Sequence, residues 1–205
     1  MILTEGFHLE VTHGKYNYFR MEKKPKTLYR YLKNGDIFAY QIREDLFGFG
    51  RILAKNPWGA SAEFFDLFSS STDAIFEKEI KQLEKLFIVV LDVYTLFQKK
   101  ILLPEWRVIA RSKNFVNPYE NQITSISSTM CISHNPNFQI EQKITQEEAI
   151  SILRESPYKE EYPHGHSDIL ILLMWCHKEI FQTPPTGYLG YEQLITDMYP
   201  KYFCK

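Results

Sequence analysis

Residues 35–53, GDIFAYQIREDLFGFGRIL, constrain the fold more than any other part of the chain. Two alternating apolar runs flank a short polar break at Glu44 and Asp45, a pattern typical of a β-hairpin. Because side chains alternate at period two in a strand, Gly48 and Gly50 fall on the same face of the second run. That face is nearly free of side chains, so we expect a backbone or an aromatic ring to approach it closely.

Further strands are predicted around this hairpin from the apolar and aromatic runs that follow it. They are AEFFDLF at 62–68, IVVLDVYTL at 88–96 and PEWRVIARS at 104–112. Trp106 opens the last of these runs, and its position favours a place in the core.

Helices are predicted between and after the strands. Apolar spacing indicates an amphipathic helix over 72–86, and a capping box from Thr145 to Glu148 predicts a helix to about residue 154. Two more are predicted, one capped at Ser167-Asp168 and one over 188–198.

These patterns predict an α+β fold, in which a curved antiparallel sheet or partly open barrel is packed by helices mainly from the C-terminal third. We expect a single domain over 1–205, with a mainly β portion at 1–142 and a helical portion at 143–205. A chain of 205 residues can bury a sizeable core in one domain.

Four short motifs together resemble the immunity 26 family of bacterial polymorphic-toxin immunity proteins. They are GDIF at 35–38, GFGRIL at 48–53, FFDLF at 64–68 and WRVI at 106–109, so the resemblance covers about residues 33–115. The motif residues are Gly35, Asp36, Arg51 and Trp106. Asp36 and Arg51 lie on paired strands of the hairpin, where either could bond the other or brace the turn as a structural ion pair.

The resemblance implies a toxin inhibitor of bacterial competition. Such a protein is not an enzyme, uses no cofactor and neutralises a cognate toxin domain by protein–protein interaction. Residues 141–205 carry ten acids against six bases, which favours a basic partner such as a nuclease toxin. Four residues are candidates for partner binding: Trp58 after a proline, and Glu160, Glu161 and Tyr162 in an acidic, aromatic loop.

Two other classes of function compete with this interpretation. The family label has also been attached to phosphotriesterase activity, and a hydrolase would have to use His164, His166 or Cys131. The histidine spacing matches no metal motif, so we expect no metal site. Alternatively, residues 15–33 hold seven bases interleaved with tyrosines and could bind nucleic acid, although a net charge of −1 disfavours this.

The chain is predicted to be cytoplasmic. Three widely spaced cysteines fit no disulfide framework, and the first residues form no secretory signal. The apolar runs are interrupted by charges and are too short to span a bilayer, so no membrane association is expected.

Overall fold

The computed structural model describes residues 16–19, 31–56, 59–77, 80–97, 105–118, 124–127, 130–133, 140–143, 145, 147–148, 151, 159–160 and 163–185. Its strands are β1 (Tyr16–Tyr18), β2 (Asp36–Arg43), β3 (Leu46–Asn56), β4 (Gly59–Ser69), β5 (Lys85–Leu91), β6 (Trp106–Ser112), β7 (Thr124–Ser127), β8 (Met130–Ser133), β9 (Ile140–Lys143), β10 (Lys159–Glu160) and β11 (Pro163–His164). The α-helices are α1 (Val93–Leu96) and α2 (His166–Cys176), and single 3₁₀ turns occupy Ala74–Glu77, Ile80–Gln82 and Lys178–Ile180.

The larger sheet confirms the predicted α+β class. Its strand order is β1-β6-β2-β3-β4-β5-β11, in which the first six strands are antiparallel and the sheet is not closed. The two-residue strand β11 pairs with β5 in parallel. A second sheet has the order β10-β7-β8-β9.

The chain divides into two compact units. The first comprises Met1–Lys55, Ala62–Lys85 and Val93–Asn117, and it holds β1, β2, β3, β6 and most of β4. The second comprises Asn56–Ser61, Leu86–Asp92 and Pro118–Lys205, and it holds the four-stranded sheet, most of β5, β11 and α2.

The hairpin of β2 and β3 is formed as predicted, and its glycine face is covered by aromatic rings. The register places Phe38 opposite Gly50 and Tyr40 opposite Gly48. A Cβ atom at Gly50 would lie 2.8 Å from Phe38 Cε2 and 2.7 Å from the carbonyl oxygen of Glu63. The rings of Phe38 and Tyr40 can therefore lie across β3 because Gly48 and Gly50 have no side chains.

Trp106 lies at the centre of an aromatic core in the first unit, which confirms its predicted burial. Its ring stacks on Tyr40 at a centroid distance of 4.9 Å and on Phe38 at 5.6 Å. Phe64 and Phe97 meet it edge-on at 6.3 and 5.8 Å. Offset-stacked and edge-on contacts are the arrangements that aromatic quadrupoles favour, so this cluster stabilises one packing of β2, β4 and β6.

The helix predicted between two of the strands is wrong. The described residues of 72–77 and 80–86 form two 3₁₀ turns and the start of β5 rather than one helix. Ile75 and Ile80 are both buried in the hydrophobic cluster that includes Phe65. Residues five apart point to different sides of an α-helix, which has about 3.6 residues per turn, so burial of both requires separate turns.

The predicted strand over 88–96 is shorter than expected, because β5 ends at Leu91 and α1 follows. Val93 and Leu96 are both buried, and residues three apart share a face on a helical turn but not on a strand.

The helix signals near the C-terminus are partly confirmed. The capping box is formed, since Thr145 N–H donates to Glu148 Oε2 at 2.7 Å and Glu148 N–H donates to Thr145 Oγ1 at 3.2 Å. Helix α2 begins two residues earlier than predicted, with Gly165 as N-cap and its N–H donating to Asp168 Oδ2 at 2.8 Å. The helix predicted over 188–198 lies outside the described residues. None of the described helices is long and apolar enough to cross a membrane.

Candidate functional site

The first unit buries several charged side chains, which lie on β2, β3, β4 and β6. Asp36, Glu63 and Arg107 are at most 2% exposed, and Arg51 is 9% exposed. Burial of an ion is unfavourable unless a counter-ion and hydrogen bonds replace its water. The contacts of these four residues therefore decide whether their role is structural or catalytic.

Asp36 is held by the end of β6. Arg111 Nε donates to Asp36 Oδ1 at 2.5 Å, and Arg111 Nη2 donates to Oδ2 at 3.0 Å. The backbone N–H of Lys33 donates to Oδ2 at 2.9 Å. Burial raises the pKa of Asp36 above its ordinary value, against the opposing effect of the bond to Arg111, and that bond raises the pKa of Arg111. The pair bridges β2 and β6, which are neighbours in the sheet.

Arg51 and Glu63 form a second buried pair between β3 and β4. Arg51 Nε donates to Glu63 Oε1 at 2.6 Å, and its Nη2 contacts the same oxygen. Lys85 Nζ lies 3.9 Å from Glu63 Oε2. The guanidinium lies over the ring of Phe115 at 4.9 Å and over that of Phe65 at 5.9 Å. Arg51 thus makes a charge pair and two cation–π contacts from one buried position.

Arg107 is the least satisfied of the buried ions. Its Nη1 donates to the carbonyl oxygen of Trp106 at 2.7 Å, and its Nε lies 2.9 Å from Glu105 Oε1. Within the described part of the chain, neither Nε nor Nη2 makes a hydrogen bond, so the approach of Nε to Glu105 is an ion pair without hydrogen-bond geometry.

These geometries favour structural roles over catalytic ones. A general acid or base must reach the proton that it transfers, yet Asp36 and Glu63 are fully buried and held by guanidinium groups. Among the described residues, no three histidine, cysteine, aspartate or glutamate side chains lie close enough to hold a metal ion. The pairs connect β2 to β6 and β3 to β4, so they specify which strands are neighbours.

The structure places the four motif residues in the first unit, but it does not join Asp36 to Arg51. The register sets Arg51 opposite Ile37, while Asp36 lies opposite Arg111. The interpretation that Asp36 and Arg51 bond each other is therefore wrong, because each has another partner. Gly35 adopts a positive φ of 84° before β2, where Phe115 occupies the space that a side chain would need.

Sequence reasoning missed three residues of these pairs. Glu63 had a signal, since it is a single acid beside two phenylalanines in an apolar strand and would need a buried counter-ion. Arg111 and Arg107 alternate with apolar residues of β6, and nothing in their spacing indicates a partner.

Most of the candidate partner-binding residues fall where the structure gives no description. Trp58, Glu161 and Tyr162 lie outside the described residues. Glu160 ends β10, where it is opposite Ser125 of β7 in a parallel pair. Their assignment to an interface stays a prediction.

The histidine pair of the hydrolase alternative lies in the second unit. His164 ends β11, and its carbonyl oxygen accepts a hydrogen bond from Asp92 N–H at 3.0 Å. His166 begins α2, and burial lowers its pKa to about 4. A half-buried imidazole at a helix start is ordinary packing, and the described residues add no third ligand.

Comparison with known proteins adds one match. A family model described as Immunity protein 26 matches residues 33–140, slightly more than half of the chain. The matched region begins before the hairpin and includes all the buried ion pairs of the first unit. No curated protein and no solved structure matches the chain significantly.

Proposed function

This chain belongs to the Immunity protein 26 family, and we propose that it binds a cognate toxin domain in the cytoplasm and neutralises it by protein–protein contact. The family match over residues 33–140 is the observation that carries the proposal. Neutralisation takes one of two forms: the protein covers the active site of the toxin, or it docks beside that site and blocks the substrate.

The chemistry of the first unit supports a binding role. The buried carboxylates of this unit form ion pairs with arginines, and aromatic side chains pack in the core around Trp106. Where such a sheet presents its exposed residues in one arrangement, less entropy is lost on association.

For the interface we propose Trp58 as an aromatic anchor and the acidic loop of Glu160, Glu161 and Tyr162 as a charged rim. A rim of acids accelerates encounter with a basic partner, and a nuclease that binds phosphate groups is such a partner. The acidic balance of residues 141–205 supports this choice.

The experiment uses the toxin domain encoded beside this gene. Co-expression should protect cells from that domain, and the two purified proteins should form a complex by titration calorimetry. Failure of the parent protein to bind or to protect would overturn the proposed function.

The interface is tested with a charge reversal and a matched control. Changing Glu160 and Glu161 to lysine should slow association at low salt by about 3- to 30-fold, with the loss shrinking as salt screens the charges. The control changes Glu44 and Asp45 to lysine, since both are exposed at the hairpin turn and the net charge changes equally. Equal association rates for both double variants would show that the acidic loop is not the interface.

A further inference from the structure

The four-stranded sheet of the second unit has a register that sorts its residues onto two faces. Residues directly opposite each other in a β-ladder share a face, and neighbours along a strand lie on opposite faces. From β10 across to β9, the register aligns one row of four residues, which are Glu160, Ser125, Ile132 and Glu141. A second row on the same face consists of Ser127, Met130 and Lys143. We call the face that holds these two rows the charged face.

The other face of this sheet has a different composition. Its two rows consist of Lys159, Thr124, Ser133 and Ile140, and of Ile126, Cys131 and Gln142. Among the described residues of the sheet, this face has one charged residue, whereas the charged face has three. An antiparallel sheet commonly packs one face on the core and leaves the other in water, and charges favour the second because a buried ion is costly. The sequence pattern therefore favours the charged face as the one available to a partner.

The charged face has the composition of a protein interface. Ile132 and Met130 lie on the inner strand β8, while Glu160 and Glu141 lie on the two outer strands, β10 and β9. An apolar centre within a polar rim is typical of interfaces, and methionine is enriched in them. The two acids are three strand spacings apart, which is about 14 Å. The face therefore combines an apolar centre with negative charge at both edges.

We propose that the charged face is a docking surface for a basic patch of the toxin domain. This inference rests on the proposed function, which makes the partner a protein. The two acids of the face outnumber its one base, Lys143, and residues 141–205 as a whole carry ten acids against six bases. The face is continuous with Glu160 of the acidic loop, so it extends the proposed rim across the sheet to Glu141. Opposite charges favour encounter, and burial of the apolar centre beneath the partner slows dissociation.

The first test compares two neighbouring residues of β9 that lie on opposite faces. Glu141→Gln and Gln142→Lys each raise the net charge by one. At 0.15 M salt, where the Debye length is about 8 Å, Glu141→Gln should slow stopped-flow association with the toxin domain encoded beside this gene by about 2- to 5-fold. Gln142→Lys should associate within about 1.5-fold of the parent rate, because its new charge lies on the other face. At 1 M salt the three rates should converge, since the Debye length falls to about 3 Å.

The second test addresses the apolar centre of the charged face. Ile132→Thr keeps a β-branched residue in the strand but removes apolar surface, so it should raise the dissociation rate of the complex by about 3- to 30-fold. Its melting temperature should stay within about 2 °C of the parent, as expected for a change outside the core. An unchanged dissociation rate, or a variant that does not fold, would show that this face packs on the core and would refute the docking surface.

The outcomes separate this proposal from the proposed function. If the parent binds no toxin domain, the proposed function fails. If the parent binds and Glu141→Gln associates as fast as Gln142→Lys, the function stands and the docking surface is refuted. A second copy of this chain is the alternative occupant: a parent dimer in sedimentation velocity that Ile132→Thr dissociates would assign the face to self-association and overturn the toxin as its occupant.

Discussion

Replacing Arg51 by methionine should destabilise the protein strongly, because it leaves the carboxylate of Glu63 buried. Methionine keeps most of the apolar contact with Phe65 and Phe115 but removes the charge and its hydrogen bond of 2.6 Å. Lys85 Nζ, 3.9 Å from Glu63 Oε2, is too far away to replace the hydrogen bond that Arg51 donates to Oε1. Removing one partner of a buried ion pair costs about 3–5 kcal/mol.

The expected change in melting temperature follows from the size of the chain. A chain of 205 residues lies in the range where 1 kcal/mol shifts Tm by about 2–4 °C, so Arg51→Met should lower Tm by about 6–20 °C. The assay is thermal unfolding followed by circular dichroism at neutral pH. The control is Arg43→Met, which breaks an exposed pair with Asp45 and should leave Tm within experimental error.

A double variant tests whether the cost comes from removing Arg51 from the buried carboxylate of Glu63. Changing Arg51 to Met and Glu63 to Leu removes both charges, and an apolar replacement of a buried pair is often neutral or stabilising. The double variant should therefore melt above Arg51→Met. If Arg51→Met melts with the parent, or the double variant melts below the single one, the buried pair does not have the role argued for it.

Two further predictions concern packing and pH. Gly50→Val should cost about 1–3 kcal/mol, since the new side chain would overlap the ring of Phe38 and the backbone of Glu63. The urea midpoint measures this loss, and an unchanged midpoint for Gly50→Val would mean that this face is open. Burial lowers the pKa of His166 in the folded protein from 6.5 to about 4. As the pH falls, His166 is therefore protonated in the unfolded chain before it is protonated in the folded protein. The free energy of unfolding therefore decreases by up to about 3 kcal/mol as the pH falls from about 6.5 to about 4. Over this pH range, the melting temperature of His166→Gln should fall less than that of the parent. Equal acid sensitivity of variant and parent would contradict the assignment.

Local patterns predicted the hairpin well because they depend on neighbouring residues. The alternation of Phe38, Tyr40, Gly48 and Gly50 specifies which residues share a face, whatever the rest of the chain does. The capping box at Thr145 is likewise local, since the hydrogen bonds join residues three positions apart.

The sequence pattern gave a wrong prediction where the burial of side chains in the core decided the local backbone geometry. Residues 72–86 contain helix-forming residues and apolar side chains at helical spacings, yet Ile75 and Ile80 turn towards the same apolar cluster as Phe65. The free energy of burying two isoleucines exceeds the small helix propensity of the intervening charged residues.

The sequence by itself determined the α+β class, the period-two faces of the hairpin and the resemblance that the family match later supported. The tertiary structure alone decided which charges meet. Asp36 and Arg111 are separated by 75 positions, and Arg51 pairs with Glu63 across a different pair of strands. The physical reason is that strand order, not spacing along the chain, brings these side chains together. An ion that loses its water binds whichever counter-ion the sheet places beside it.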